Sequence, residues 1–225
     1  MKYQGVFFDF DYTLGDSTMP IVIGYQRGFE ALGWPPPTVE QVKGTIGMTL
    51  MDGYELLTGD KNAARKEEFY HLFRAAVGEE EGGTGDLRVM VEETRLFPGA
   101  VELLSALKKR GIRVAIVSTK PRMTIERILA WRGLTHLADL IVGDEDVKRF
   151  KPDPEGLNFA MDRLGLTAEQ VLFCGDTGID AAAARNAGVE FCAVLNGTTP
   201  REAFGDYPCV HIAEDLPHLH HWLNL

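Results

Sequence analysis

Two carboxylates, Asp9 and Asp11, stand one residue apart at the end of the apolar run Val6-Phe7-Phe8, and Thr13 and Gly15 follow them. One acid there could simply cap a turn. Two acids pressed together at the end of a hydrophobic segment repel each other unless a cation or a shared proton offsets them. Further polar groups follow later apolar stretches: Ser118-Thr119-Lys120, then Lys151 in Arg149-Phe150-Lys151-Pro152-Asp153-Pro154, then Asp176 and Asp180 in Gly175-Asp176-Thr177-Gly178-Ile179-Asp180. Each has a plainer reading alone. Ser118 or Asp176 can cap a helix, Asp180 can complement a helix dipole, and Lys151 can be a solvated lysine. As a set they offer oxygen ligands suited to a hard cation such as Mg²⁺ rather than zinc. The ammonium, the hydroxyls and backbone N–H groups after the strands suit the oxygens of a phosphate.

The elements that must position these groups are legible in the pattern. Val6-Phe7-Phe8 is continuous and free of breakers, which reads as a strand buried on both faces. Similar runs at 112–117, 140–142, 171–174, 191–194 and 209–212 alternate with helical segments at 98–110, 124–131, 154–164 and 179–187. Glycine closes each of these helices or follows closely. The alternation predicts an α/β fold, an open parallel sheet with helices on both faces, Rossmann-like in organisation. Chemistry then collects at the carboxyl ends of the strands, where Asp9, Asp11, Ser118 and Asp176 would fall. No strand is needed between 16 and 94. Helices are expected there at 21–32, in a short segment opened by a capping box at Thr38-Val39-Glu40-Gln41, at 48–57, at 62–77 and at 87–94, with a flexible surface turn at 79–86. The chain therefore divides into a core, 1–15 and 94–225, and a small all-α cap domain, 16–93.

Length and composition narrow the function classes. The 225 residues can bury a full core, and 45% hydrophobic with 25% charged residues argues against disorder. A formal net charge of −10 argues against a general nucleic-acid partner, which needs a basic footprint. No run approaches the roughly 20 apolar residues of a membrane span, and no leader pattern opens the chain, so a cytoplasmic location without a membrane partner is expected. The three cysteines, Cys174, Cys192 and Cys209, lie in apolar stretches with no framework spacing and read as buried thiols. Lys120, Arg122, Lys148, Arg149 and Lys151 would form a local basic patch in this acidic chain.

Asp9-Phe10-Asp11-Tyr12-Thr13-Leu14, Ser118, Lys151-Pro152 and Gly175-Asp176-Thr177-Gly178-Ile179-Asp180 resemble, in order, the four motifs of the haloacid dehalogenase-like superfamily. Phe97-Pro98-Gly99-Ala100, Val117-Ser118-Thr119-Lys120-Pro121 and Lys151-Pro152-Asp153-Pro154-Glu155 look most like its phosphoglycolate phosphatase branch, and the helical block corresponds to a cap inserted after the first motif. The resemblance implies a Mg²⁺-dependent phosphatase acting on a small phosphorylated metabolite through an aspartyl-phosphate. It implies Asp9 as nucleophile and metal ligand, and Asp11 as general acid/base with its backbone carbonyl on the metal. Ser118, Thr119 and Lys151 would hold the phosphate, Asp176 would ligate Mg²⁺, and Asp180 would support it directly or through a neighbour. An Asp at the Asp11 position favours phosphate chemistry over dehalogenation, since the superfamily's dehalogenases lack it. The family often has Gly where Tyr12 stands and Asn where Thr119 stands.

Two other functions fit parts of the pattern. A phosphosugar mutase would return the phosphoryl group to a sugar, and a receiver-like phospho-acceptor also uses Asp, Ser/Thr and Lys on a parallel sheet. The helical block and the Asp176/Asp180 pair argue against the latter. The chain is expected to work as a monomer or homodimer. The Gly44–Thr49 loop and Arg122 are candidates for reading the substrate. His218, His220 and His221 belong to a terminal helical segment without partners of metal-ligand spacing, and Trp34, Trp131 and Trp222 read as packing residues.

Overall fold

The computed structural model describes residues 2–78 and 87–225; the expected turn at 79–86 lies outside them. The chain opens with β1 (Gly5–Phe8) and β2 (Gly15–Asp16), followed by α1 (Thr18–Ala31), α2 (Val39–Lys43), α3 (Leu50–Thr58), α4 (Ala63–Ala76) and α5 (Leu87–Glu93). After β3 (Arg95–Leu96) come α6 (Ala100–Lys109), β4 (Arg113–Val117), α7 (Arg122–Trp131), β5 (Leu140–Val142) and α8 (Glu155–Leu164). The last elements are β6 (Val171–Gly175), α9 (Gly178–Ala187), β7 (Glu190–Val194), β8 (Cys209–Ala213) and α10 (Leu216–Trp222). Two compact units result: Met1–Asp16 with Leu96–Leu225, and Ser17–Arg95.

The first unit is a six-stranded parallel sheet in the order β5-β4-β1-β6-β7-β8 with helices packed around it. The chain leaves β1 for β4 and β5 on one side, then returns to β6 on the other, so the order reverses beside β1. That reversal opens a crevice at the strands' carboxyl ends. Register then brings the polar residues together. Phe8 lies opposite both Ile116 and Cys174, so Asp9, Ser118 and Asp176 emerge within two residues of the same level. All four β1 residues are buried, which is why the strand reads as an unbroken apolar run. On one face Phe7, Ala115, Phe173 and Phe191 pack with Leu157, Ala160, Ala181 and Ala184; the small side chains of α9 let that helix lie close to the sheet.

The second unit is helical, around Tyr25, Phe29, Tyr54, Phe69 and Phe73. Its helix α1 begins three residues before the expected start. Pro20 is tolerated there because the first-turn N–H groups have no intrahelical acceptor. The Thr38 capping box is present, with Gln41 N–H donating to Thr38 Oγ1 at 3.3 Å and Thr38 N–H to Gln41 Oε1 at 2.9 Å. Among the described residues, no helix is long and apolar enough to cross a membrane.

Two of the three tryptophans pack as expected. Trp34 donates its Nε1–H to the Tyr54 hydroxyl at 3.1 Å, and Trp222 stacks on His211 with ring centroids 4.5 Å apart. Trp131 does not: it is 62% exposed at the end of α7, because the stripe of α7 that faces the sheet is carried by Thr124, Ile125, Ile128 and Leu129. Cys174 and Cys192 are buried free thiols and Cys209 is half-buried; burial first, then Cys192, pushes the Cys174 thiol well up, which leaves it inert.

The terminal helix is docked through Leu216 and Leu219. Its partner His211 also meets the His218 ring edge-on at 5.1 Å, and its Nε2 is buried without a hydrogen bond. Burial, with His218 and Arg201 nearby, lowers the His211 pKa from its usual 6.5. The folded state thus binds fewer protons than the unfolded chain, so the contact stabilises fully above pH 6.5 and is lost as pH falls through the lowered value. Thermal melts between about pH 7.5 and about pH 5.5 should show a smaller acid-dependent loss in His211→Phe, which keeps a ring against Trp222 and cannot titrate. Equal losses in variant and wild type would refute this.

Candidate active site

Asp9 follows β1, Asp176 follows β6, and Asp180 lies in the first turn of α9. All three are buried, and one carboxylate oxygen from each lies within 4.8 Å of the others. Lys151, from the loop between β5 and α8, enters this cluster with its side chain 5% exposed. Its ammonium is 2.8 Å from Asp9 Oδ1 and 2.6 Å from Asp180 Oδ1. The contact with Asp180 is a hydrogen bond; the one with Asp9 is an ion pair that leaves Asp9 Oδ1 without an aligned hydrogen bond. Asp180 also serves its helix. Its Oδ2 accepts from the Thr177 hydroxyl at 2.6 Å and from Thr177 N–H at 3.1 Å, closing a capping box at the start of α9. The capping contact and the pairing with Lys151 therefore coexist in one side chain.

The charge in this cluster is unbalanced, with three buried carboxylates around one ammonium. Burial pushes the Asp9 carboxyl up to about 6, with Lys151 opposing and Asp180 adding to the rise. Burial, then Asp180 and Asp9, pushes Asp176 well above the usual carboxylate range. Burial alone would lower Lys151, but Asp180 and Asp9 together raise it. Oxygen donors only, an excess of carboxylates over ammonium and a buried Asp9 Oδ1 without an aligned hydrogen bond make a set that fits a hard divalent cation.

Asp11 stands apart from the three-carboxylate cluster. Its carboxylate accepts from Lys120 Nζ at 3.0 and 3.3 Å, and the Lys120 side chain is 5% exposed. Ser118 is buried and its Oγ accepts from Lys120 N–H at 3.3 Å; Thr119 is half-buried. The loop carrying Asp11 is a tight turn in which the Phe10 carbonyl accepts from the N–H groups of Thr13, Leu14 and Gly15. Tyr12 holds a φ of 60° in that turn. An L-residue there costs roughly 1–2 kcal/mol relative to the right-handed region, which explains why glycine suits the position; burial of the Tyr12 ring at 6% exposure offsets the cost.

The expected basic patch is largely neutralised. Lys120 faces Asp11, Arg122 faces Asp146 at 3.0 Å, Arg149 faces Glu155 at 3.2 Å, and Lys151 faces Asp9 and Asp180. Asp146 reaches Arg122 from another loop, whereas Glu155 lies only six positions beyond Arg149. Arg122 is also held by Glu126 at 3.3 Å. Thr45 of the Gly44–Thr49 loop is buried inside the helical unit and donates to the Val42 carbonyl at 2.8 Å. Two contacts at the site were not legible from residue type. Thr13 donates to Asp176 Oδ1 at 3.3 Å, and Lys120 engages Asp11 across 109 positions.

Residues 6–194 match the haloacid dehalogenase-like hydrolase family. The chain belongs to that family. It is a phosphoric monoester hydrolase within it, the class shared by its curated relatives. Among these, phosphoglycolate phosphatase 1 of Pseudomonas aeruginosa is 30% identical over 199 residues, covering 85% of this chain and 69% of that protein. The plasmid phosphoglycolate phosphatase of Cupriavidus necator is 31% identical over 195 residues, covering 85% and 80%. A crystal structure of a haloacid dehalogenase-like hydrolase from Bacteroides fragilis superposes with a TM-score of 0.90 at 39% identity, covering 97% of this chain and 100% of that one.

Proposed function

We propose that the chain hydrolyses a small phosphorylated metabolite of the phosphoglycolate type through an aspartyl-phosphate on Asp9, with Mg²⁺ as cofactor. The observation that carries this is the buried cluster of Asp9, Asp176 and Asp180 around Lys151. Asp9 attacks phosphorus while the bond to the substrate oxygen breaks, and Asp11 gives that oxygen its proton. Water then attacks the aspartyl-phosphate, Asp11 takes a proton from it, and Asp9 is restored as inorganic phosphate leaves. Splitting the reaction this way replaces one difficult displacement by two easier ones. Lys151, Ser118 and Thr119 hold the phosphoryl oxygens, since phosphoryl transfer is mostly positioning and charge stabilisation.

Asp9, Asp176 and the Asp11 carbonyl would hold Mg²⁺, which when bound supplies positive charge toward the phosphoryl oxygens. Asp180 has both oxygens committed, to Lys151 and Thr177, so we assign it to orienting Lys151 and the cluster rather than to direct ligation. The helical unit Ser17–Arg95 enters the chain directly behind the first-strand carboxylates; we assign it the role of the cap that selects the substrate.

The reading is tested by phosphate release from a panel of small phosphomonoesters, with and without Mg²⁺. Steady Mg²⁺-dependent release is expected. A sugar-phosphate isomer formed without release would indicate a mutase, and a single stable phosphorylation a phospho-acceptor. Asp11→Asn should bind Mg²⁺ as the wild type does, since its proposed metal contact is a backbone carbonyl, yet lose at least ~10²-fold in turnover. Lost Mg²⁺ affinity with retained chemistry would sink that role for Asp11.

A further inference from the structure

The Asp176 carboxylate is gripped by two loops, and the second belongs to none of the motifs above. Its Oδ1 accepts from the Thr13 hydroxyl at 3.3 Å. Its Oδ2 lies against the backbone of Gly197, three residues beyond β7: a Cβ added to Gly197 would sit 2.0 Å from Oδ2, 2.9 Å from Asp176 Cγ and 3.1 Å from Tyr12 Cβ. Gly197 is not among the residues with positive φ, so this position demands glycine for space rather than for backbone freedom. Its neighbour Asn196 donates Nδ2–H to the Thr13 carbonyl at 3.1 Å. Leu195 N–H donates to the Ala213 carbonyl at 2.9 Å, which anchors the loop to β8.

The carboxylate has little room to yield. Asp176 is 2% exposed, with Thr13 on one oxygen, Gly197 against the other, and the Asp9 and Asp180 carboxylates close by. A methyl group at 197 would have to push Oδ2 away from its seat. Loss of the Asn196 amide would instead free the Thr13 backbone, and with it the hydroxyl that fixes Oδ1.

We infer that Asn196 and Gly197 are positioning residues for the metal ligand Asp176, Gly197 by its close approach and Asn196 by holding Thr13. This rests on the reading of Asp9 and Asp176 as a Mg²⁺ site. Groups that orient metal ligands typically affect affinity by about 10–100-fold.

The test titrates Mg²⁺ alone into the full chain, by calorimetry and by the metal-dependent rise in melting temperature. Gly197→Ala and Asn196→Ala should each weaken Mg²⁺ at least ~10-fold, Thr13→Val likewise, while Thr13→Ser retains affinity because it keeps the hydroxyl. Far-UV circular dichroism establishes that each variant is folded. Wild-type affinity in a folded Gly197→Ala chain overturns the inference and leaves the Mg²⁺ site standing. Should Gly197→Ala not fold, Asn196→Ala decides by the same criterion. A wild-type chain that binds no Mg²⁺ overturns the site itself, a different and recognisable result.

Discussion

Asp9→Asn should release phosphate at least ~10³-fold more slowly than the wild type on every substrate the panel identifies. The amide is close in shape to the carboxylate but has no charged oxygen with which to form an acyl-phosphate. Its fold should survive, because the change removes one of three mutually repelling buried carboxylates. The backbone bond from Asp9 N–H to the Cys174 carbonyl, at 2.9 Å, does not involve the side chain. Lys151 keeps Asp180 at 2.6 Å as a partner. The rate loss should therefore appear in a chain with a native dichroism spectrum and a cooperative melt. A burst experiment sharpens the result: the wild type should accumulate covalent phosphate on rapid quenching and the variant should not. Wild-type turnover in Asp9→Asn would mean that water attacks phosphorus directly, and the covalent route would have to be abandoned.

What the sequence revealed of this site follows from strand geometry. Asp9, Ser118 and Asp176 each end an apolar run, and parallel register with β1 at the centre leaves them within two residues of one level. Contacts that depend on a loop's path were not legible. Lys120 was visible as a polar group after an apolar run, but not its pairing with Asp11, which is set by how the turn after β4 meets the turn after β1. Asn196 and Gly197 carry no reactive group, so nothing about their types pointed to Asp176; only the closeness of the Gly197 backbone to that carboxylate exposes the relation. The basic patch erred for a related reason: Asp146 reaches Arg122 from another segment, and Glu155 folds back onto Arg149 from six positions further on. Tyr12 illustrates the limit from the other side. Its departure from the family's usual glycine was visible, and the left-handed turn that makes glycine usual was not. Trp131 failed because a residue type that commonly packs sits on the solvent side of α7, a matter of helical phase at the last residue.

Lys151→Met should produce the largest loss of stability of any single substitution in the cluster, about 3–5 kcal/mol, because it leaves the buried Asp9 and Asp180 carboxylates without the ammonium that pairs with them. The side chain is 5% exposed and touches both Asp9 and Asp180, so water cannot readily take its place. Methionine approximates the aliphatic stem and preserves packing, which confines the effect to charge. The sign of the pH dependence then separates this account from a general packing defect. Asp9 sits up to about 6, and Asp176 well above the ordinary carboxylate range, mainly through burial. Without the ammonium these groups are costly to ionise in the folded state. Acidification protonates them and removes the repulsion, so the gap in melting temperature between variant and wild type should narrow from about pH 8 to about pH 5. Mg²⁺ should narrow it too at neutral pH, since a second cation entering the same cluster replaces part of the lost charge. A Lys151→Met chain that melts with the wild type at about pH 8 would show that this lysine does not offset the charge of the cluster. A gap that persists unchanged at low pH would show that the loss does not come from ionised carboxylates.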